Sequence, residues 1–451
     1  MRNDFRKKTA RYAAIETLYK LDQTRAPISQ IFERTIAEHK VTSSDRQLAM
    51  KICYGVLRQR EYLDLILSHL CNQPVKRIKP FAYHALQTGL YQLLFLDRVP
   101  ESAAVNETVK AVAAARLSRS IQGFVNGVLR QSIRKRSELP QPDNELLLNH
   151  PEWLTARWQN NFGVQTMKQI CLANNKEPPL CLRVTPRSTR TELIDLFRQN
   201  KISASQGRYA PDAIIVASYQ RTITALPGFK EGFFQVQDQA AQLATLLMGP
   251  FHEGARLLDC CAGVGGKTSH LLSLISPETS SIVALEPHME RLNQLEEMIR
   301  RTTDSRAVSA HNQTLEQYSD SCKEKFDRIL VDAPCSGTGV IGRHPDIRWN
   351  REENQLISYQ KRQLNLLEQA EKLLVPGGVL VYATCSIEPE ENYQVVSQFL
   401  KEYPHYSLTD CGDYLPPRAH LLIHNKCFAP LPAADIDGFF AARLTSATES
   451  D

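Results

Sequence analysis

The sequence predicts three folded parts in series: an all-α N-terminal domain, a small α+β subdomain and a doubly wound α/β domain. Three observations predict this order. Residues 6–136 carry helical periodicity with almost no strand signal, residues from 236 onward alternate strands with amphipathic helices, and the polar stretch 137–144 holds two prolines. A chain of 451 residues is also too long for one ordinary domain.

Taken in order, Ile15, Leu18, Tyr19 and Leu21 crowd one helical face, and Val105, Val109 and Val112 follow the i, i+4, i+7 rule. Pro80 and Pro100 punctuate the helices. Residues 118–130 read as a glycine-interrupted turn into a basic helix. A helical domain over 1–140 is long enough to bury its own core. In the second part, over 150–235, strands are expected at 180–184 and 213–217 around a helix at 191–197. The third part, 236–446, offers strands at 256–259, 282–286, 307–310, 328–332 and 379–383, with helices at 289–301 and 355–374. Such alternation implies a mainly parallel sheet that binds ligands outside the carboxyl ends of its strands.

Charge is divided unevenly. Residues 1–138 hold 24 Lys+Arg against 12 Asp+Glu, and the remainder holds 30 against 37. A basic module on a mildly acidic body suggests a polyanion-binding appendage, although a solvated Arg-rich helical surface gives the same count. The basic start, Met1 to Lys8, is followed by no apolar signal core, and no apolar run is long enough to span a membrane. Eleven cysteines without a CxxC pair or a zinc spacing read as reduced thiols, with no metal site, in a cytoplasmic chain.

The chemistry concentrates where strands end. Leu257-Leu258-Asp259 runs into Cys261, Ala262, Gly263, Val264, Gly265, Gly266, Lys267 and Thr268, a glycine loop that opens a helix. Such loops let backbone approach a phosphate or carboxylate. The loop is neither GxGxxG nor a complete GxxxxGK[ST], since Cys261 stands where the second pattern needs its first glycine. Glu286 ends the next strand, where a carboxylate can accept from both ribose hydroxyls, and Asn312 follows the third, where an amide oxygen suits an adenine amino group. Either is equally an ordinary turn former.

Cys335, in Asp332-Ala333-Pro334-Cys335-Ser336, and Cys385, in Thr384-Cys385-Ser386, each follow an apolar strand and sit in a polar turn. Cys53, Cys71, Cys171, Cys181, Cys260, Cys322, Cys411 and Cys427 read as small buried hydrophobes. Two thiols at one sheet edge fit covalent activation of a poor carbon nucleophile such as cytosine C5. A thiolate adds to C6, C5 attacks an electrophilic methyl, and the C5 proton and the thiolate then leave. Asp332 and Lys267 are the polar groups for the base-binding side; a strand-capping Asp and a solvated helix-start Lys remain the plain alternative.

These residues, with Ser386-Ile387-Glu388-Pro389-Glu390-Glu391-Asn392, the stretch from Gly339 to Trp349 and Asp437-Gly438-Phe439-Phe440, resemble the RNA (cytosine-C5)-methyltransferase family. The similarity is greatest to its bacterial 16S ribosomal RNA branch of the Fmu/Sun type, whose N-terminal domain is NusB-like. It covers nearly the whole chain. The resemblance implies a Rossmann-like methyltransferase domain, S-adenosylmethionine as donor and 16S ribosomal RNA as partner, naked or in a partly assembled small subunit. It implies Cys385 as nucleophile, Cys335 assisting product release, Asp332 on the target base and Lys267 beside it. Cys261, Ala262, Gly263, Val264, Gly265, Gly266, Lys267, Glu286, Asn312 and Asp332 would line the cofactor. Three positions depart from the family pattern: Gly263-Val264 replace Ala-Pro, Glu286 replaces Asp, and Asn312 replaces Asp.

The sequence therefore predicts a cytoplasmic, monomeric, S-adenosylmethionine-dependent RNA cytosine-C5 methyltransferase. Arg343, His344 and Arg348 are candidate RNA contacts, against a solvated basic loop. DNA cytosine methyltransferases use a Pro-Cys cysteine, which by analogy would make Cys335 the attacker. Two rivals stay open: a non-catalytic RNA-binding factor, and a P-loop ATPase using Gly266, Lys267, Thr268 and Asp332.

Overall fold

In the computed structural model, residues 9–141, 148–218, 222–303 and 306–448 are described. The basic start and residues 142–144 of the predicted linker lie outside them. The chain forms two compact units: residues 1–176 with 341–351, and residues 177–340 with 352–451.

The first unit is helical. Ala10–Thr24, Ile28–His39, Ser43–Arg58, Arg60–Leu70, Pro80–Phe95, Glu101–Ala114 and Arg119–Arg134 pack on one core that includes Ile15, Leu18, Leu21, Leu63, Leu86, Leu90, Val112 and Leu129. Caps set the starts: the Thr9, Thr42 and Ser118 hydroxyls accept backbone N–H groups, and Pro80 occupies a first-turn position that needs no N–H. The expected turn at 118–130 is instead continuous helix. A Cβ at Gly123 or Gly127 would meet nothing within 4 Å, so neither glycine marks a bend or a close approach. Helices Glu152–Phe162 and Val164–Asn174 also belong to this unit.

So does a strap, residues 341–351, from far along the chain. Arg348 is fully buried and donates to Asn149 O (2.7 Å), Asn175 Oδ1 (2.6 Å) and Asn174 O (2.8 Å). Trp349 donates its indole N–H to Leu57 O (2.9 Å) and lies under the Arg60 guanidinium. Asp346 accepts from Ile28 N–H (3.1 Å), and Arg58 donates to Gly342 O (2.9 Å). Arg348 is therefore not an RNA contact: both its terminal nitrogens are taken up by the Asn149 and Asn174 carbonyls and the Asn175 amide oxygen. His344 is exposed.

The second unit contains two sheets. The smaller has strands β1 (Leu180–Val184), β2 (Ser203–Gln206), β3 (Ala213–Ser218) and β4 (Phe234–Val236) in antiparallel order β2-β3-β1-β4, with helix Arg190–Gln199. The larger is built on β5 (Arg256–Asp259), β6 (Ser281–Leu285), β7 (Val308–His311), β8 (Phe326–Asp332) and β9 (Leu374–Thr384), all parallel, in order β9-β8-β5-β6-β7. Helices Met289–Thr302 and Gln355–Glu371 lie where the periodicity places them. The doubly wound expectation holds for this half. The other half is antiparallel: β10 (Tyr406–Thr409), β11 (Ile423–His424), β12 (Cys427–Phe428) and β13 (Phe440–Ser446) extend the sheet beyond β9. Sequence patterning does not show these strands, because two are only two residues long and β13 is almost wholly buried, which removes alternation. Separate apolar clusters, one holding Leu257, Ile282 and Val381 and the other Leu258, Ile329 and Leu380, flank the sheet as alternate residues of each strand.

Candidate active site

Five of the residues singled out by the sequence stand at or just past the carboxyl end of a parallel strand. Asp259 ends β5, Glu286 follows β6, Asn312 follows β7, Asp332 ends β8 and Cys385 follows β9. Strand order reverses at β5, flanked by β6 and β8, the switch point at which open α/β sheets bind their ligands.

The glycine loop leaves β5 at this switch point and opens the helix Gly266–Leu272. Ala262 N–H donates to Leu285 O (2.9 Å) and Gly265 N–H to Ala262 O (2.8 Å), which ties the loop to β6 and closes its turn. Gly265 has φ +86°, and a Cβ there would lie 2.6 Å from the Met298 methyl, so only glycine fits. At Gly263 and Gly266 a Cβ would meet nothing within 4 Å, and Val264 is exposed. The loop thus presents bare backbone to open space. Behind it, buried Asp259 accepts the Thr268 hydroxyl at Oδ2 (2.7 Å), while Oδ1 has no hydrogen-bond partner among the described residues. Burial lifts this carboxyl to about 6. The helix after the loop is braced from the small sheet: fully buried Arg183 donates to Ser269 Oγ and Gln237 Oε1, both at 2.6 Å.

Glu286 and Asn312 meet. The Asn312 amide donates to Glu286 O (3.0 Å), and Glu286 Oε1 is shared by the His288 backbone N–H and ring Nδ1, both at 2.8 Å. Cys261 is half-buried, and burial pushes its thiol well up, so it adds no reactive sulfur to the loop.

Lys267 donates to Asp332 Oδ2 at 2.6 Å and sits 5.2 Å from the Phe439 ring centroid. Its side chain is only 11% exposed, which overturns the solvated-lysine alternative. Desolvation depresses the ammonium most, but the Asp332 charge and hydrogen bond together with the Asp259 charge more than offset it, and the net direction is upward.

Cys335 and Cys385 come together from strands fifty residues apart: their sulfurs are 3.2 Å apart and both side chains are half-buried. All eleven cysteines are free thiols, and Cys71 and Cys322 are half-buried rather than buried as expected. The Cys335 thiol is held well above its ordinary value, first by its hydrogen bond with Cys385, then by burial and by the charges of Cys385 and Glu391. The cysteine turns are also locked through backbone. Gly339 N–H donates to Cys385 O (3.0 Å) and Gly438 N–H to Gly339 O (2.9 Å), and a Cβ on Gly339 would strike Gly438 O at 2.1 Å. Sequence reasoning gave no role to Gln363, Glu391 or Phe439, and gave Thr268 one only in the ATPase alternative. Glu391 and Phe439 lie inside the motifs it quoted, so the available signal was there without a partner to explain it.

Comparison with known proteins adds three family models. Residues 8–134 match the NusB family, 150–222 a ferredoxin-like domain of RsmF/B-like methyltransferases, and 245–445 a model described as 16S rRNA methyltransferase RsmB/F. The chain is 36% identical to ribosomal RNA small subunit methyltransferase B of Photorhabdus laumondii over 90% of its own length and 92% of the relative's. It is 34% identical to the enzyme of that name from Serratia proteamaculans, over 98% and 99%. Among solved structures, the crystal structure of PH0851 matches with a TM-score of 0.79 at 23% identity, covering 96% of this chain and 98% of that one, a likeness of fold alone.

Proposed function

Because the chain belongs to the RsmB/F family of 16S ribosomal RNA methyltransferases, we propose that it methylates C5 of one cytosine through a covalent Cys385–C6 bond. The single observation that carries this reading is the 3.2 Å approach of Cys335 and Cys385 beside the Lys267–Asp332 pair. A lone structural thiol needs no such neighbour, and an ATPase gives no use for either cysteine.

S-adenosylmethionine is the proposed donor and would supply the electrophilic methyl carbon. The residues present fit it: bare backbone at Gly263 and Gly266, and Glu286, whose backbone carbonyl holds the Asn312 amide. Cys261, Ala262, Val264 and Gly265 complete the proposed loop, and Glu286 in place of Asp keeps a carboxylate for a ribose hydroxyl beside the two His288 donors on its Oε1.

In the proposed cycle the target cytosine is unstacked into the site, since C6 is out of reach inside a helix. Cys385 sulfur adds to C6 while Asp332, held by Lys267, contacts the N3 edge. C5 then carries the electron pair that takes the methyl group. A water acting as base takes the C5 proton, the C5–H electrons re-form the C5–C6 double bond, and the C6–S bond breaks with its electrons leaving on the Cys385 sulfur, which restores aromaticity. Cys335, kept protonated by its surroundings, can donate to the departing sulfur. The basic residues of 1–138 supply phosphate contacts, whether the substrate is naked RNA or a partly assembled small subunit, with the enzyme acting as a monomer.

The test uses wild type, Cys385→Ala and Cys335→Ala with unmodified 16S RNA and labelled S-adenosylmethionine. Wild type should yield 5-methylcytosine, Cys385→Ala none, and Cys335→Ala a stable protein–RNA adduct. Methylation that survives in Cys385→Ala rejects the assignment, and RNA binding by wild type with no methyl transfer would favour a binding factor.

A further inference from the structure

Glu391 lies on the single helical turn Pro389–Glu391 and is fully buried. Four donors converge on its carboxylate: the Ser336 N–H (2.8 Å), the Ser336 hydroxyl, the Ser386 hydroxyl (2.5 Å) and the Gln363 amide (3.1 Å). Ser336 follows Cys335 and Ser386 follows Cys385. One carboxylate therefore grips both cysteine turns, each one residue from its sulfur. Gln363 also donates to Pro334 O (3.1 Å), so Cys335 is held through the residues on both its sides. Glu391 is itself fixed by the Tyr382 hydroxyl on its carbonyl (2.5 Å) and by its own N–H on Glu388 O (3.1 Å).

A buried carboxylate is costly unless its acceptor sites are filled, and apolar side chains often replace buried charges without loss of stability. Its retention at this point calls for a function that packing alone does not supply. We propose that Glu391 is a positioning residue for methyl transfer: by binding Ser336 and Ser386 together it sets the spacing of Cys335 and Cys385. The inference rests on the two-cysteine reading above. A glutamine replaces it poorly: its oxygen can take the Ser336 N–H and the Gln363 amide, but its NH2 meets the two serine hydroxyls only if both turn round to accept, and the charge that strengthens these bonds is lost. The same charge adds to the forces that keep the Cys335 thiol protonated.

The full-length protein tests this with Glu391→Gln, Glu391→Asp and Ser386→Ala. Two quantities are read: kcat and KM on 16S RNA, and the rate at which diamide joins the two thiols. In that reaction the thiols lose two electrons and two protons to the azo bond as one S–S bond forms, and peptide mass spectrometry identifies the pair. Glu391→Gln should lower kcat about 100-fold, the scale of a displaced catalytic group, with KM for RNA changed less than about threefold. Disulfide formation should slow by about an order of magnitude, with Glu391→Asp recovering part of both losses. Unchanged kcat, a parallel change in KM, or an unchanged disulfide rate in folded Glu391→Gln overturns the proposal. Should that variant not fold, Ser386→Ala removes one donor and must show the same pattern in weaker form, or the proposal fails. Absence of methyl transfer by wild type would instead reject the two-cysteine reading, while the disulfide rates would still decide whether Glu391 sets the spacing.

Discussion

Asp259 makes the pH response of this chain readable at the scale of one side chain. Burial raises its carboxyl from 3.8 to about 6, so the folded chain binds this proton more tightly than the unfolded chain. The stability linked to the protonated form is complete below the unfolded value and is lost as pH rises through the folded one. Wild type should therefore lose stability relative to Asp259→Asn between about pH 4 and 6, approaching ~3 kcal/mol once the group is ionised. Urea melts of the two proteins across that range check it, and parallel pH profiles would refute it. Asn can still accept the Thr268 hydroxyl, so the comparison isolates the charge.

Among the elements, the strap shows how a basic motif can be structural. Arg348 has three buried acceptors and no solvent, and burial lowers its guanidinium to about 9. Arg348→Met should destabilise the helical unit by roughly 2–4 kcal/mol, because it takes the Arg348 donors from two carbonyls and an amide oxygen. Arg348→Lys should recover little, since an ammonium cannot reproduce the planar fork. Hydrogen exchange in Glu152–Phe162 and Val164–Asn174, the two helices between Asn149 and Asn175, is the readout. Protection equal to wild type would exclude a structural role for this arginine.

At the scale of the whole molecule, a folded unit is assembled from two distant stretches of chain. Residues 1–176 expressed alone lack the strap, so Leu57 O and the Asn174 and Asn149 carbonyls lose their donors. That fragment should melt lower than its mixture with a peptide of residues 341–351, and a peptide carrying Arg348→Met should not restore it; equal melting with and without the peptide would reject this. RNA binding belongs to the same scale. Arg119, Arg130 and Arg134 are exposed on helix Arg119–Arg134. Neutralising all three should make the slope of log affinity against log salt shallower by roughly 2 for single-stranded RNA. An unchanged slope would place the phosphate contacts elsewhere.

The sequence by itself determined the helical first part, the parallel strands β5 to β9 and the residues at their ends. Apolar periodicity and strand-end motifs are local, and a parallel sheet places every strand's carboxyl end on one edge, so local signals were enough to gather the candidate site. It also revealed both cysteines, since their turns are written in consecutive residues. What only the tertiary structure decided is non-local. Whether Arg348 faces RNA or buried carbonyls depends on Asn149, Asn174 and Asn175, far away in the chain. The antiparallel strands β10 to β13 are too short or too buried to alternate. Glu391 stands five residues from Ser386 but fifty-five from Ser336, and only folding brings it to both cysteine turns at once. A hydrogen bond needs its partner within about 3 Å, and sequence distance says nothing of that once the chain has crossed a sheet.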